Sequence, residues 1–546
     1  MSTLIHALHE IARRVPDRGI SIFDRRGSKA ERRTYAQLRD AALDRAARLA
    51  ACDIKPGERL LICLPTSWEL LELYLGAICR GALPVLVAPP GALGGAAAHA
   101  QKIAALVELL TPKALVCDES TKRELAEFGQ AATADRARTC AELFSVAPAM
   151  NTHAPASGDL AFLQLTSGST GRQRAVMITH SSLLHNTRAI GTLTTCKPDD
   201  EAQVVSWLPL NHDMGLVGCF MFALTHGLEL TLLRPETFLA RPTAWLKQFR
   251  SDTACKSPAP NFAYQLCIDR VENADLAALN LSRWEVALTG AEMIRPETCA
   301  DFASKFSACG FDPKNFVPSY GMAEATLAVS GDISRRGVRT RRVNGEGEYR
   351  EVVSTGKPLL DIEVKISSPS APGTFLAAGE VGEIWVKGAS VFSGYYNDKE
   401  ATSEALTSDG YLRTGDLGFL HDGELYITGR IKDLLIIHGH NLMPHELEWI
   451  AEAASGGGGA ERCGAFSVPK GSEGEQAVLV VEVADKNAEQ LAGLGREIRS
   501  LIGRTLGLPL ADLAFVKRGH IPKTTSGKVQ RRELKRRYLE GKIERL

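Results

Sequence analysis

Short runs dominated by apolar residues occur at positions 59–64, 85–88, 114–117, 203–208 and 228–233. Each is bounded by polar or turn-forming residues, the mark of a buried strand. Between the runs the apolar positions take helical spacing, as at 34–51 and 66–80. Strands alternating with amphipathic helices predict parallel α/β layers. Beyond Ser354 the texture changes. Positions 362–366, 381–387 and 424–428 read as short strands separated by turn pairs such as Asp422-Gly423, which predicts a smaller β-rich unit. A further strand is expected at 477–483 and a basic helix at 531–546, with a flexible loop at 455–459, where Ser455 is followed by four glycines. The best boundary lies near Gly429-Arg430-Ile431-Lys432-Asp433, where the β-rich pattern ends.

Composition narrows the class without naming a function. The 546 residues are 45% hydrophobic and 23% charged, enough for several domain-sized cores. Lys plus Arg and Asp plus Glu both number 64, so no overall field favours nucleic acid or an anionic membrane. The 12 cysteines form no CxxC pair, which argues against zinc or dithiol chemistry and for free thiols in a reducing compartment. No cationic stretch followed by an apolar one opens the chain, and no apolar run reaches about 18 residues. A cytoplasmic protein without a transmembrane segment is the expectation.

Candidate chemistry begins at Thr166-Ser167-Gly168-Ser169-Thr170-Gly171, directly after the apolar run 160–165. Small residues let the backbone approach an anion, and turn amides and hydroxyls can donate to phosphate oxygens. Arg172 and Arg174 add positive charge. The spacing is not that of a Walker A loop. Four more segments follow in order: Trp207-Leu-Pro-Leu-Asn-His-Asp-Met-Gly-Leu216, Ser319-Tyr-Gly-Met-Ala-Glu-Ala-Thr326, Tyr411-Leu-Arg-Thr-Gly-Asp-Leu417 continuing to Arg430-Ile-Lys-Asp433, and Pro522-Lys-Thr-Thr-Ser-Gly-Lys-Val-Gln-Arg531.

Together the five segments resemble the core motifs of the adenylate-forming superfamily, which includes acyl-CoA synthetases, adenylation domains and luciferases. The wording around Thr166, His212 and Glu324 is most similar to the fatty acyl-AMP ligase branch. The resemblance covers nearly the whole chain and implies an α/β fold. A large N-terminal adenylation domain, residues 1–431, would comprise layered α/β subdomains and a β-rich subdomain, with boundaries near 190 and 354. A small mobile α+β C-terminal domain, residues 432–546, would hinge at Lys432.

The resemblance also implies roles. Thr166 through Gly171 would hold ATP phosphates, helped by Arg174. Relatives usually carry Lys at that position, so the planar guanidinium is expected to retain activity with altered phosphate geometry. Gly290, Ala291 and Glu292 would lie along adenine, Tyr320 would offer its ring, and Ser319, Gly321 and Met322 would complete that wall. Asp416, acceptor-only when ionised, would receive the ribose hydroxyls with Arg430 beside it. Glu324 would bind Mg²⁺, His212 would orient the acid, and Lys528 would neutralise charge between the acid and the α-phosphate. The implied activity is ATP-dependent conversion of a medium- or long-chain fatty acid to acyl-AMP and pyrophosphate.

For the acceptor, a separate acyl-carrier protein is expected, because no Asp-Ser-Leu attachment site follows Lys528. CoA is the alternative. The stretch 331–353 is longer than CoA ligases of this type need, which favours the carrier protein. A catalytically dead nucleotide-binding protein would be expected to lack Asp416, Arg430, Glu324 or Lys528, and all four are present.

Overall fold

The computed structural model describes residues 3–90, 95–151, 153–166, 173–332, 334–344, 349–437, 440–454, 463–469, 475–484, 486–523 and 528–546. The expected loop at 455–459 lies outside them.

The alternating pattern becomes a nine-stranded sheet. Its inner strands run in the order Phe316–Gly321, Trp284–Thr289, Ala254–Ala259, Ala202–Ser206, Glu229–Leu232 and Gly19–Phe23, all parallel. Antiparallel strands close both edges, Ala30–Thr34 on one side and, on the other, Ala328–Gly331 followed by the short edge strand Lys357–Pro358. A second parallel sheet combines Leu83–Leu86, Arg59–Cys63, Ala114–Cys117 and Ala137–Arg138. Strands Leu160–Thr166 and Arg174–Thr179 form a separate antiparallel pair. The β-rich unit is the four-stranded antiparallel sheet of Ile362–Ser367, Gly382–Gly388, Leu412–His421 and Glu424–Arg430. The large N-terminal domain thus holds several sheets, and a smaller C-terminal domain carries one mixed five-stranded sheet.

Local signals set the helix limits. Thr34 caps the helix Tyr35–Ala51: its hydroxyl accepts from the Gln37 amide at 3.2 Å, and the Gln37 side chain accepts from the Thr34 amide at 2.9 Å. Such a box contributes about 1 kcal/mol. Helix Trp68–Arg80 is buried on nearly every face. Its one buried acidic residue, Glu72, is paired with Arg33 and with Arg45. Among the described residues no helix is long and apolar enough to cross a membrane.

Three expected boundaries shift. The strand expected at 85–88 is Leu83–Leu86, because Pro84 sits inside it and Ala88 has already left the ladder. The basic helix stops at Leu539 rather than 546, where Gly541 takes a left-handed φ of 67° and ends the helical path. The subdomain boundary expected near 190 falls inside the helix His180–Leu193, whose face packs Leu183, Ala189, Ile190 and Leu193 into the main core.

One continuous core runs from Leu4 to Leu425. Residues beyond Leu435 bury their apolar side chains in separate clusters, one around Leu479, Val481 and Ile498 and one around Phe466, Val480 and Leu534. Aromatic rings stiffen the nine-stranded sheet: Trp245 and Trp284 lie 5.1 Å apart edge-on, as do Tyr264 and Phe302. The parallel strands therefore end at one rigid rim, where open α/β sheets bind ligands.

Candidate active site

A cavity of about 2370 Å³ opens at that rim, between the sheet, the β-rich unit and the C-terminal domain. Thr166, Arg174, Gly290, Ala291, Glu292, Ser319, Tyr320, Gly321, Met322, Glu324, His212, Asp416, Arg430, Lys432 and Lys528 all line it. Ser167, Gly168, Ser169, Thr170 and Gly171 lie outside the described residues, but the strands flanking that loop bring Thr166 directly opposite Arg174 at the mouth.

One wall comes from the rim of the sheet. A side chain on Gly290 would put its first carbon 2.6 Å from the Ser319 carbonyl oxygen, and one on Gly321 would put it 2.0 Å from the Leu327 carbonyl oxygen. Only glycine lets these loops close on each other. Ala291 adopts φ of 67°, a left-handed turn rare without glycine, and Glu292 accepts from the Phe262 amide at 2.7 Å. That turn holds 290–292 as a ledge over the cavity.

Asp416 is 3% exposed in the middle of the strand Leu412–His421, directly opposite Arg430 at the end of its neighbour. Arg430 Nε donates to its Oδ1 at 2.7 Å and the Tyr320 hydroxyl donates to its Oδ2 at 2.6 Å. Burial, then the Asp416 charge, pushes the Tyr320 phenol far above its ordinary value, while Asp416 chiefly raises Arg430. The three groups form one fixed unit with free acceptor capacity on the carboxylate.

Glu324 sits in the single turn Ala323–Ala325, held by a strained neighbour. Thr326 has φ of 68°, unusual for a β-branched residue, and its hydroxyl donates to the Ser390 carbonyl at 2.7 Å. The Tyr395 hydroxyl donates to Glu324 Oε1 at 2.8 Å. Burial raises the Glu324 carboxyl above its usual range. Arg174 lies 5.1 Å over the Tyr395 ring, with Nε 3.6 Å from Asp398. Its cation is thus held over a ring beside the segment 167–171 rather than extended freely.

His212 caps the short turn Asp213–Gly215, with Nδ1 2.8 Å from Asp213 Oδ1. Burial works to raise the Asp213 carboxyl, but His212, Lys528 and the Met214 amide outweigh it and keep it below its ordinary value. Lys528 reaches the same place from the C-terminal domain. Burial, then Arg430, lowers its amine, while Asp213, Glu292 and Asp416 pull the other way. A cation from one domain thus lines the same cavity as Asp213, His212 and Glu292 from the other and feels the charge of the two carboxylates.

One clamp lies within the C-terminal domain and a second crosses between the domains. Arg531 is bidentate to Glu448, at 2.7 and 2.6 Å, which fixes the segment after Lys528. Arg295, five residues beyond Gly290, pairs with Glu452 and lies 5.3 Å over the Trp449 ring. Sequence reasoning assigned nothing to Asp213, Tyr395, Arg295 or Trp449. Only Asp213 carried a signal, its adjacency to His212. Among the described residues no group of three or more His, Cys, Asp or Glu could hold a metal by itself. Glu324 offers a single half-buried carboxylate, suited to a hard cation that takes its remaining oxygens from phosphate and water.

Comparison with known proteins gives the site a context. The AMP-binding enzyme family matches residues 8–396. A medium-chain-fatty-acid–[acyl-carrier-protein] ligase of Teredinibacter turnerae is 36% identical over 414 residues, 70% of this chain and 64% of that protein. A Mycobacterium tuberculosis protein, provisionally named a fatty-acid–CoA ligase, is 32% identical over 557 residues, 94% of this chain and 93% of its own. A solved structure from work on fatty acyl-adenylate ligases of E. coli and L. pneumophila superposes with a TM-score of 0.89 at 33% identity, covering 99% of this chain and 98% of that one.

Proposed function

Because the chain belongs to the AMP-binding enzyme family, we propose that it activates a fatty acid with ATP, releasing pyrophosphate and forming acyl-AMP, and that a separate acyl-carrier protein takes the acyl group. The observation that carries this reading is that Lys528 lines one cavity with Asp213, His212 and Glu324, a cavity whose lining also includes the apolar Leu193, Phe222 and Leu288.

The reaction brings two anions together: a carboxylate attacks the α-phosphorus, and pyrophosphate leaves. Positioning and charge neutralisation are the protein's tasks. Asp416, with Arg430 and Tyr320 fixed against it, accepts the ribose hydroxyls. The ledge at 290–292 and the segment 319–322 border adenine. Thr166, the loop 167–171 and Arg174 receive the β- and γ-phosphates, and Lys528 sits between the carboxylate and the α-phosphate, with His212 orienting the acid. Glu324 would hold Mg²⁺, which supplies charge neutralisation on the phosphates. A carboxylate whose pKa burial has raised gains most from such a cation. Glu324→Gln is expected to lower adenylation about 100-fold and to move its Mg²⁺ dependence to higher concentration. An unchanged Mg²⁺ titration would remove Glu324 from this role.

The carrier-protein acceptor draws support from the stretch 331–353. It forms the hairpin Thr340–Asn344 with Tyr349–Val353. At its base Arg339 is held by Asp332 at 2.9 Å and by Glu424 at 2.7 Å, and Ser354 donates to Glu424 at 2.7 Å. On this reading the hairpin, tied to the β-rich sheet, would restrain movement of the C-terminal domain about Lys432, the proposed hinge between 1–431 and 432–546. The Teredinibacter relative's name points to the same acceptor. Mass spectrometry with ATP, Mg²⁺ and mixed fatty acids provides the test. Acyl-AMP should accumulate despite added CoA and fall when holo-carrier protein is added. Rapid acyl-CoA formation would overturn the carrier reading, in line with the mycobacterial relative's name.

A further inference from the structure

The acyl side of the cavity contains a residue that plain fatty-acid chemistry does not use. Lys256 lies in the strand Ala254–Ala259, is 6% exposed and lines the cavity. It stands beside Val204 on one neighbouring strand and Val286 on the other. Ile190, Leu193 and Phe222 also line the cavity. The next residue, Ser257, points to the opposite face, where its hydroxyl receives the Trp245 indole N–H at 3.1 Å. Among the described residues no hydrogen bond or ion pair engages the Lys256 amine. The nearby thiol Cys196, buried itself, feels its charge and is not an anionic partner.

A lysine buried along its stem, whose amine opens only to the cavity and has no partner among the described residues, sits among apolar residues, where an apolar side chain of similar volume would line the wall without the cost of a charge. Its surroundings are otherwise what an alkyl chain needs. Lys256 stands three residues before the end of its strand, about 10 Å back from the rim at about 3.3 Å per residue. A chain whose carboxyl meets Lys528 and runs down the sheet face therefore brings its distal carbons to this amine.

Resting on the adenylation reading above, we infer that the acid accepted by this site carries an oxygen acceptor on its distal carbons, a carboxylate or a hydroxyl, which Lys256 binds. Lys256 is then a specificity-determining residue for an oxygenated acyl chain. It acts on the choice of acid and leaves the nucleotide site alone.

The test compares plain, ω-hydroxy and α,ω-dicarboxylic acids of equal length, from octanoic to hexadecanoic, by acyl-AMP formation. Wild type should favour an oxygenated acid over the plain one by about 10- to 100-fold in kcat/KM, the range of one charge-assisted hydrogen bond. A preference for the dicarboxylic series identifies a carboxylate, and a preference for the hydroxy series a neutral acceptor. Lys256→Met should reverse the order with an unchanged KM for ATP, and Lys256→Arg should keep it. An unchanged ATP KM also shows that the variant is folded. Wild type favouring the plain acid at every length would overturn the inference, as would Lys256→Met retaining the wild-type order, and either result would leave adenylation standing. Silence with every acid would overturn adenylation itself and this inference with it.

Discussion

Replacing Lys528 with alanine is expected to lower acyl-AMP formation by about 100- to 1000-fold, the cost of removing one group aimed at developing charge in a shielded site. The reason is specific to the first half-reaction. A carboxylate and an α-phosphate repel each other on approach, and in this cavity the cation from the C-terminal domain lies beside Asp213, Glu292 and Asp416, where that repulsion would be greatest. Transfer of an acyl group from preformed acyl-AMP to a thiol brings no second anion to phosphorus. Purified acyl-AMP supplied to Lys528→Ala with holo-carrier protein should therefore still be consumed. Loss of both half-reactions would mean that Lys528 serves the fold or the acceptor instead.

The same residue predicts a pH dependence. Burial and Arg430 lower the Lys528 amine, so its charge is lost at a lower pH than the ordinary lysine value of about 10.4. The kcat/KM of adenylation should fall on an early alkaline limb, because that parameter reports the free enzyme. Lys528→Arg, whose guanidinium does not deprotonate in this range, should move the limb upward. The fall is not unfolding. For a lysine whose pKa drops on folding, the unfolded chain binds the proton more tightly, so this group adds stability as pH rises through the window between the two values.

Part of the fold was visible in the chain because parallel strands buried on both faces leave continuous apolar runs, and the cavity-lining Thr166, Asp416, Arg430 and Lys528 belong to segments whose small or charged residues stand out locally. The limits of Leu83–Leu86 were less legible, since Pro84 reads as a breaker yet is tolerated within the strand. Pairings between distant segments leave no local trace. Tyr395 reaches Glu324 across 71 positions, and Arg295 reaches Glu452 across 157. Lys256 was hidden differently: its neighbours Cys255, Ser257 and Pro258 break the apolar pattern, so its place on the cavity face emerges only once the register with Val204 and Val286 is known.

Asp416→Ala should raise the KM for ATP by about 10- to 100-fold and lower thermal stability by about 1–3 kcal/mol, both from one carboxylate. The stability loss follows from what the residue leaves behind. Arg430 and Tyr320 each lose their partner, at 2.7 and 2.6 Å in the native protein. The Arg430 side chain is 50% exposed, so solvent takes over part of its pairing and keeps the loss below that of a fully buried ion pair. The binding loss has its own signature. If the carboxylate accepts the ribose diol, wild type should discriminate against deoxy-ATP, and Asp416→Ala should treat ATP and deoxy-ATP alike, because the group that read the hydroxyl is gone. That coupling is a double-mutant cycle with the nucleotide as one partner. Asp416→Asn, which keeps one acceptor oxygen and most of the Tyr320 contact, should fall between the two. An Asp416→Ala protein that is destabilised yet still prefers ATP over deoxy-ATP by the wild-type factor would assign Asp416 to holding Arg430 and Tyr320 in place, and the ribose contact would have to come from elsewhere in the cavity.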